Sequence, residues 1–176
     1  DASRLAIFGN NAYVAYSTRL KIFNISDKLN PVNKRAEVPM NANDVAYSVG
    51  YAYIASDGAG LGIVNVSNPA LPSGPVYEDT DGIARGVTVS GDYAYVADGT
   101  NGLVAINISN PASPTYATKV LLDDVAGSDA YDVAIFENYA YVANVKNLAS
   151  IPLTLGSIKN GGGNNSSCVH RQRAPR

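Results

Sequence analysis

The sequence predicts an all-β fold of the β-propeller type, built from about four repeated units of four-stranded antiparallel sheet, the last of them incomplete. An Ala-Tyr-Val/Ile tripeptide recurs at intervals of 40, 42 and 46 residues, centred on Tyr13, Tyr53, Tyr95 and Tyr141. A period of about 40–45 residues that is filled with short strands is typical of one propeller blade. Alternating side-chain patterns and short Gly/Asn turns between them indicate strands and hairpins.

Each unit is predicted to begin with two strands that are joined by a tight polar turn. In the third unit the first strand begins at Gly86, and the second covers Tyr93–Ala97 after the turn Ser90-Gly91-Asp92. The second strand carries the tripeptide and is largely apolar on both faces. This pattern suits a sheet that is covered on both sides, as a blade is between its neighbours.

The third strand of each unit ends in a polar corner. These strands are predicted at Leu20–Ile25, Leu61–Val66 and Leu103–Ile108. The corner reads Ser-Asn-Pro in the second and third units, where Ser and Asn can bond the backbone and proline ends the strand. A fourth, more polar strand is predicted near residues 34–38, 74–78 and 115–122, since the outer strand of a blade contacts solvent.

The predicted propeller domain covers residues 1–158, with units at about 4–43, 44–85, 86–131 and 132–158, and a flexible, basic Gly/Asn/Ser-rich tail follows at 159–176. The fourth unit departs from the repeat, because it lacks the Ser-Asn-Pro corner and a convincing fourth strand. Pro152 stands there at the position that Asn24, Asn65 and Asn107 occupy in the other units.

The third strand and its corner resemble the repeat of the LVIVD-repeat family. The matching segments are Leu61–Pro69 and Leu103–Pro111, together with the upstream segment Gly91–Asp98. The resemblance implies a β-propeller from a bacterial or archaeal surface or secreted protein, and it carries over no catalytic residue. The family usually has Asp where this chain has Asn24, Asn65 and Asn107.

Composition excludes some classes of function. All 15 acidic residues lie at or before Glu137, whereas four of the 13 basic residues lie in the tail, so an acidic body argues against a nucleic-acid surface. No apolar run approaches the roughly 20 residues that a membrane span needs. Cys168 is the single cysteine and His170 the single histidine, both in the tail. They offer no disulfide within the chain and no rigid catalytic dyad.

Four units could complete a propeller in three ways, and the sequence leaves all three open. The chain is a fragment of a larger propeller, a closed ring of four blades, or a subunit whose exposed blade face is covered by a second chain. We favour a fragment or a homo-oligomer over the closed ring, because an incomplete last blade leaves an apolar face that normally marks an interface.

The predicted ligand site is the mouth of the central channel, where the first strands of the units begin. Deviations from a repeat at one equivalent position are where a grafted function can sit, although solvated loop ends would show the same pattern. The candidate ligand-binding residues are Arg4, Asn43, Asp44, Arg85 and Asp132. Tyr16, Tyr77, Tyr116 and Tyr131 lie outside the repeated tyrosine position and are either a binding rim or scattered aromatic residues.

Acidic residues before the fourth unit suggest two further chemistries. Asp123, Asp124 and Asp129 are candidate ligands for Ca²⁺, which prefers carboxylate and carbonyl oxygens, although ordinary acidic turns look alike and our expectation is no cofactor. Glycoside hydrolysis needs two carboxylates, for which Asp124, Asp129 and Asp132 are candidates.

We therefore predict a non-catalytic binding or scaffolding module at the surface or exterior of a prokaryotic cell. Its ligand would be a protein or a carbohydrate bound at the channel mouth. The alternatives are a carbohydrate-active propeller, hydrolytic or lectin-like, and a structural fragment of a larger surface-layer-type protein.

Overall fold

The computed structural model describes residues 2–122 and 129–153, and within them the chain is all β, as predicted. Fifteen strands form four separate antiparallel sheets, and each sheet pairs only strands that are consecutive along the chain. The described residues contain no helix long and apolar enough to cross a membrane. We call the four sheets blades I to IV in chain order.

Blades I and II each have four strands. Their bounds are β1 Ala2–Phe8, β2 Asn11–Tyr16, β3 Arg19–Asn24, β4 Val32–Pro39, β5 Asp44–Ser48, β6 Tyr51–Ala55, β7 Leu61–Asn65 and β8 Val76–Glu78. Blade III has four strands and blade IV has three in the described residues. Their bounds are β9 Gly86–Ser90, β10 Tyr93–Ala97, β11 Leu103–Asn107, β12 Thr115–Val120, β13 Ala130–Phe136, β14 Tyr139–Asn144 and β15 Leu148–Pro152.

The repeated corner asparagines act as turn residues. Asn24, Asn65 and Asn107 each accept a hydrogen bond at Oδ1 from the backbone N–H two residues later, at 2.8, 3.0 and 2.9 Å. This side-chain bond replaces a backbone turn and ends the third strand of the blade. An uncharged amide oxygen is therefore sufficient to form this turn.

The first strands of the blades, β1, β5, β9 and β13, pack side by side in chain order and form the inner edge of the assembly. Each blade consequently has two faces. We call the face toward the next blade in the chain the forward face, and the face toward the preceding blade the rear face. Tyr13 and Leu20 lie on the forward face of blade I, and Val45 and Ile54 lie opposite them on the rear face of blade II.

In the part of the chain that the structure describes, three hydrophobic cores lie between the four blades. Each combines forward-face residues of one blade with rear-face residues of the next, and the repeated tyrosines Tyr13, Tyr53 and Tyr95 are buried in the first, second and third core. A closed ring of four blades would have a fourth such core between blades IV and I. In the described part of the chain β13 does not pack along β1 as the other neighbouring inner strands do, although an ion pair between Arg4 and Asp132 connects the two strands. The ring of four blades therefore lacks a core at this position and is open there.

Candidate functional site

The channel mouth is formed by the ends of the inner strands at which each blade begins. Strand register places Arg4, Asp44, Gly86 and Asp132 at one equivalent position, because each is paired with the alanine that follows the repeated tripeptide in its own blade. The four units therefore present Arg, Asp, Gly and Asp at the mouth. The first and third units differ here from the second and fourth.

Asp44 joins blade II to blade III. Its Oδ1 accepts a hydrogen bond from the N–H of Val45 at 2.8 Å, and its Oδ2 accepts one from the N–H of Val87 on blade III at 3.0 Å. The side chain is buried, and this burial raises the pKa of the carboxyl group above its usual value against the lowering effect of the two amide bonds and of Arg4. Asp44 thus satisfies two backbone donors at a blade junction.

Asp132 repeats half of this arrangement. Its Oδ1 accepts a hydrogen bond from the N–H of Val133 at 2.9 Å, as Asp44 does from Val45. Its Oδ2 lies 3.0 Å from Arg4 Nη1, an ion pair that spans from blade IV to blade I. The hydrogen bond to Asp132 is the main cause of the raised pKa of the Arg4 guanidinium. Both side chains are well exposed, so the pair contributes at most about 1 kcal/mol.

At Gly86 the backbone of blade IV lies where a side chain would be. A Cβ atom at this position would lie 2.9 Å from the carbonyl oxygen of Tyr131 and 2.9 Å from the Cα of Asp132. The inner strands of blades III and IV therefore meet through their backbones at the mouth, which a larger residue would prevent.

Side chains at the position just before these residues also form hydrogen bonds to the next blade. Ser3 Oγ donates to the carbonyl oxygen of Ala42 at 3.4 Å, and Asn43 Nδ2 donates to the carbonyl oxygen of Ala84 at 2.9 Å. Both bonds cross a blade junction. Asn43, a predicted ligand-binding residue, is therefore used to hold blade II to blade III.

Arg85 follows this series at the junction of blades III and IV. Its Nη2 lies 3.4 Å from Asp129 Oδ2, and its guanidinium group stacks over the ring of Tyr131 at 4.3 Å. Its Nε is buried without a hydrogen-bond partner among the described residues. Ile83 is exposed, and a Cβ atom placed on Gly99 would meet both Ile83 Cβ and Arg85 Nε, so the two side chains flank the same glycine. We call Ile83, Arg85 and Tyr131 the mouth patch.

The five predicted ligand-binding residues all lie at the channel mouth. Asn43 and Asp44 are bonded across the junction of blades II and III, whereas Arg4, Arg85 and Asp132 keep part of their side chains exposed in ion pairs. The sequence pattern did not point to Ser3 or Ile83. Aligning the units one residue before Asp132 would have found Ser3, since it takes the place of Asn43, Arg85 and Tyr131.

The predicted calcium ligands are only partly covered by the structure. Asp123 and Asp124 lie outside the described residues, and Asp129 is paired with Arg85. Within residues 2–122 and 129–153, no three acidic, histidine or cysteine side chains are grouped so that they could hold a metal ion. The calcium site stays a prediction.

Solved structures with a similar fold include two designed proteins and one bacterial protein. The computationally designed Ika4 protein aligns with a TM-score of 0.64 at 10% identity, over 88% of this chain and 92% of its own. The designed Ika8 protein aligns with a TM-score of 0.61 at 10% identity, over 88% of this chain and 46% of its own. BamB from Moraxella catarrhalis aligns with a TM-score of 0.61 at 14% identity, over 84% of this chain and 42% of its own.

The chain thus spans less than half the length of two of these structures, and at such low identity the likeness concerns the fold alone. No curated protein matches the chain. A model of the LVIVD repeat matches it four times, at residues 1–35, 40–74, 81–121 and 127–150, one match for each blade. The chain belongs to the LVIVD repeat family and has a β-propeller-type fold.

Proposed function

We propose that this chain is a non-catalytic binding module that recognises another protein at its channel mouth. The observation that carries this proposal is the mouth patch, in which the guanidinium group of Arg85 stacks at 4.3 Å on the exposed ring of Tyr131 and which includes the exposed side chain of Ile83. Arginine and tyrosine are enriched among the residues that dominate binding energy in protein interfaces. Arg4, whose side chain is 47% exposed, would supply a polar contact at the rim.

The bonding of the mouth carboxylates favours binding over hydrolysis. A glycosidase needs one accessible carboxylic acid with a raised pKa and a second carboxylate at a set distance. Asp44 has a raised pKa, but it is buried and bonded to two backbone amides. Asp129 and Asp132 are each paired with an arginine. These contacts suit carboxylates that hold blades together.

The proposed location is the surface or exterior of a prokaryotic cell. This part of the proposal rests on what is expected of LVIVD-repeat proteins. A role as one structural segment of a larger surface protein is compatible with the same mouth patch, because a scaffold also binds its neighbours through exposed side chains.

The test compares mouth variants with a matched surface control. Proteins captured from a cell-surface extract by the immobilised chain would be purified, and their affinity would be measured by calorimetry. We expect Arg85→Ala and Tyr131→Ala to weaken binding at least tenfold, since each removes one half of the stack. Tyr77→Ala, at an exposed tyrosine on the outer strand of blade II, should leave the affinity unchanged.

Three outcomes would contradict the proposal. Equal affinity of the mouth variants and the Tyr77→Ala control would remove the mouth from the interface. Selective binding on a glycan array would favour the lectin-like alternative. Turnover of a labelled polysaccharide that is lost in Asp132→Asn would identify a hydrolase.

A further inference from the structure

Within residues 2–122 and 129–153, the open ring leaves the forward face of blade IV without a neighbouring blade. Leu148 on this face is 65% exposed, whereas the equivalent Leu20, Leu61 and Leu103 are 0–3% exposed at the three internal junctions. Phe136 and Ala143 on the same face are exposed as well, and Tyr141 is only half-buried. Blade IV therefore presents a forward face of the type that its three predecessors bury.

The rear face of blade I is the matching surface. Leu5 is 59% exposed, whereas Val45, Val87 and Val133 at the equivalent position are each 5% exposed. Ile7 on the same face is exposed too. Lys21 and Glu37, paired at 3.3 Å, supply a polar border toward the outer strands. An apolar centre with a polar rim is the composition of a protein interface.

We propose that a second copy of this chain covers both faces. The forward face of blade IV in one copy packs on the rear face of blade I in the other, and the same junction formed a second time closes a ring of two chains and eight blades. The occupant follows from the residues, because one chain carries both halves of a junction that it already forms three times internally. Eight blades lie within the range of about four to eight that propellers use.

Asp132 offers a specific bond for this junction. At the junction of blades II and III, the equivalent Asp44 uses Oδ1 for its own strand and Oδ2 for the N–H of Val87 in the next blade. Asp132 already uses Oδ1 in the same way. Its Oδ2 would bond the N–H of Leu5 in the second copy, in place of an exposed Arg4 pair whose loss costs little.

An aromatic contact inside the chain also has an equivalent at the proposed junction. Phe8 on the forward side of blade I stacks on Tyr47 of blade II with ring centroids 4.2 Å apart. Strand register places Phe136 of blade IV at the position of Phe8, with Ile7 of blade I at the position of Tyr47. In the proposed dimer Phe136 would cover Ile7 of the second copy and would itself stay partly exposed, as Phe8 does at 56% exposure in its stack on Tyr47.

Two of the three similar structures have chains about twice as long as this one, whereas the Ika4 chain has about the same length. The four blades align with less than half of the Ika8 and BamB chains at TM-scores of 0.61. An arrangement like that of these four blades is therefore found within chains that have room for about as many blades again.

The test is the mass of the full chain in solution, measured by sedimentation equilibrium over a wide range of concentrations. We expect a dimer. Leu148→Glu and Leu5→Glu should each raise the dissociation constant by roughly 100-fold, since each places a charge in an apolar junction. Leu29→Glu, at a leucine that is 90% exposed in the connection between β3 and β4, is the matched control and should remain dimeric.

A pair of double variants distinguishes this pairing from others. Each proposed junction joins the Leu148 face of one copy to the Leu5 face of the other, so Leu5→Lys/Leu148→Glu places opposite charges in both junctions and Leu5→Glu/Leu148→Glu places like charges there. The first double variant should therefore dimerise more tightly than the second, which a junction between two like faces would not produce. Circular dichroism checks that both variants fold, which their exposure in the single chain predicts. A wild-type monomer at every concentration, a dimer that survives both substitutions, or assemblies larger than two chains would overturn the proposal. The mass of the chain is measured without any protein bound to the mouth patch. The dimer can therefore fail this test while the proposed function stands, and the reverse.

Discussion

Two leucines at the same position of the repeat should differ strongly in their contribution to stability. Leu103 on β11 is 3% exposed between blades III and IV, whereas Leu148 on β15 is 65% exposed on the forward face of blade IV. Replacing a fully buried leucine by alanine costs about 2.7–5 kcal/mol, because the lost transfer energy is increased by a cavity. Leu103→Ala should therefore lower the free energy of unfolding by about 3–4 kcal/mol.

Leu148→Ala should cost much less in the single chain. About a third of this side chain is removed from water, and full burial of a leucine is worth about 1.5–3 kcal/mol. Truncation to alanine should therefore lower the free energy of unfolding by about 0.5–1 kcal/mol. An open face also leaves no cavity. The difference between the two variants should accordingly be about 2–3 kcal/mol.

The assay is urea unfolding of both variants and the wild type in dilute solution, followed by circular dichroism and tyrosine fluorescence. Equal losses for the two variants that do not depend on protein concentration would refute the reasoning, because Leu148 would then be buried within its own chain. If the proposed dimer forms, the loss for Leu148→Ala should grow with protein concentration, whereas the loss for Leu103→Ala should not depend on the formation of the intermolecular junction.

Further predictions concern the blade junctions and two buried titrating groups. Gly86→Ala should destabilise the chain by about 1–3 kcal/mol in urea unfolding, since its Cβ would press on the backbone of blade IV, whereas Gly58→Ala meets no atom within 4 Å and should change the stability by less than about 0.5 kcal/mol. Burial raises the pKa of the Asp98 carboxyl above its usual 3.8, against the hydrogen bond that Thr80 donates, so the folded state binds this proton more readily. Stability should therefore rise as the pH falls from the raised pKa toward 3.8, and an unchanged pH profile in Asp98→Asn would contradict this assignment. Burial also raises the pKa of the Tyr53 hydroxyl to about 12, so stability should fall as the pH rises from 10.0 to about 12, and a phenolate absorbance titration should lose its step near 12 in Tyr53→Phe.

The strands could be predicted because their signals are local. The tripeptides around Tyr53 and Tyr95 have apolar residues on both faces and sit between Gly/Asn turns, and the structure places both in the second strands of blades, buried at the next junction. The corner chemistry of Asn65 follows in the same way from three adjacent residues. Such features need no knowledge of distant contacts.

The junctions at the mouth could not be predicted because they connect residues far apart in the chain. Asp44 bonds the N–H of Val87, 43 residues away, and Arg4 pairs with Asp132 across 128 residues. The alternation of residues at the mouth could be read from an alignment of the units. The use of each side chain depends on the angle between neighbouring blades, which a repeated strand pattern does not encode.

The four blades share three cores among the described residues, and this has a consequence for the dynamics of the chain. In an array whose stability is a sum of nearest-neighbour terms, an end unit has one stabilising neighbour and an internal unit has two. Blades I and IV should therefore open before blades II and III, and amide hydrogens should exchange fastest in β1 and β15 and slowest in β6 and β10. A partner that covers the exposed faces of blades I and IV would slow amide exchange in these two blades. The difference in exchange rate between outer and central blades would then become smaller, although the partner does not contact the central blades.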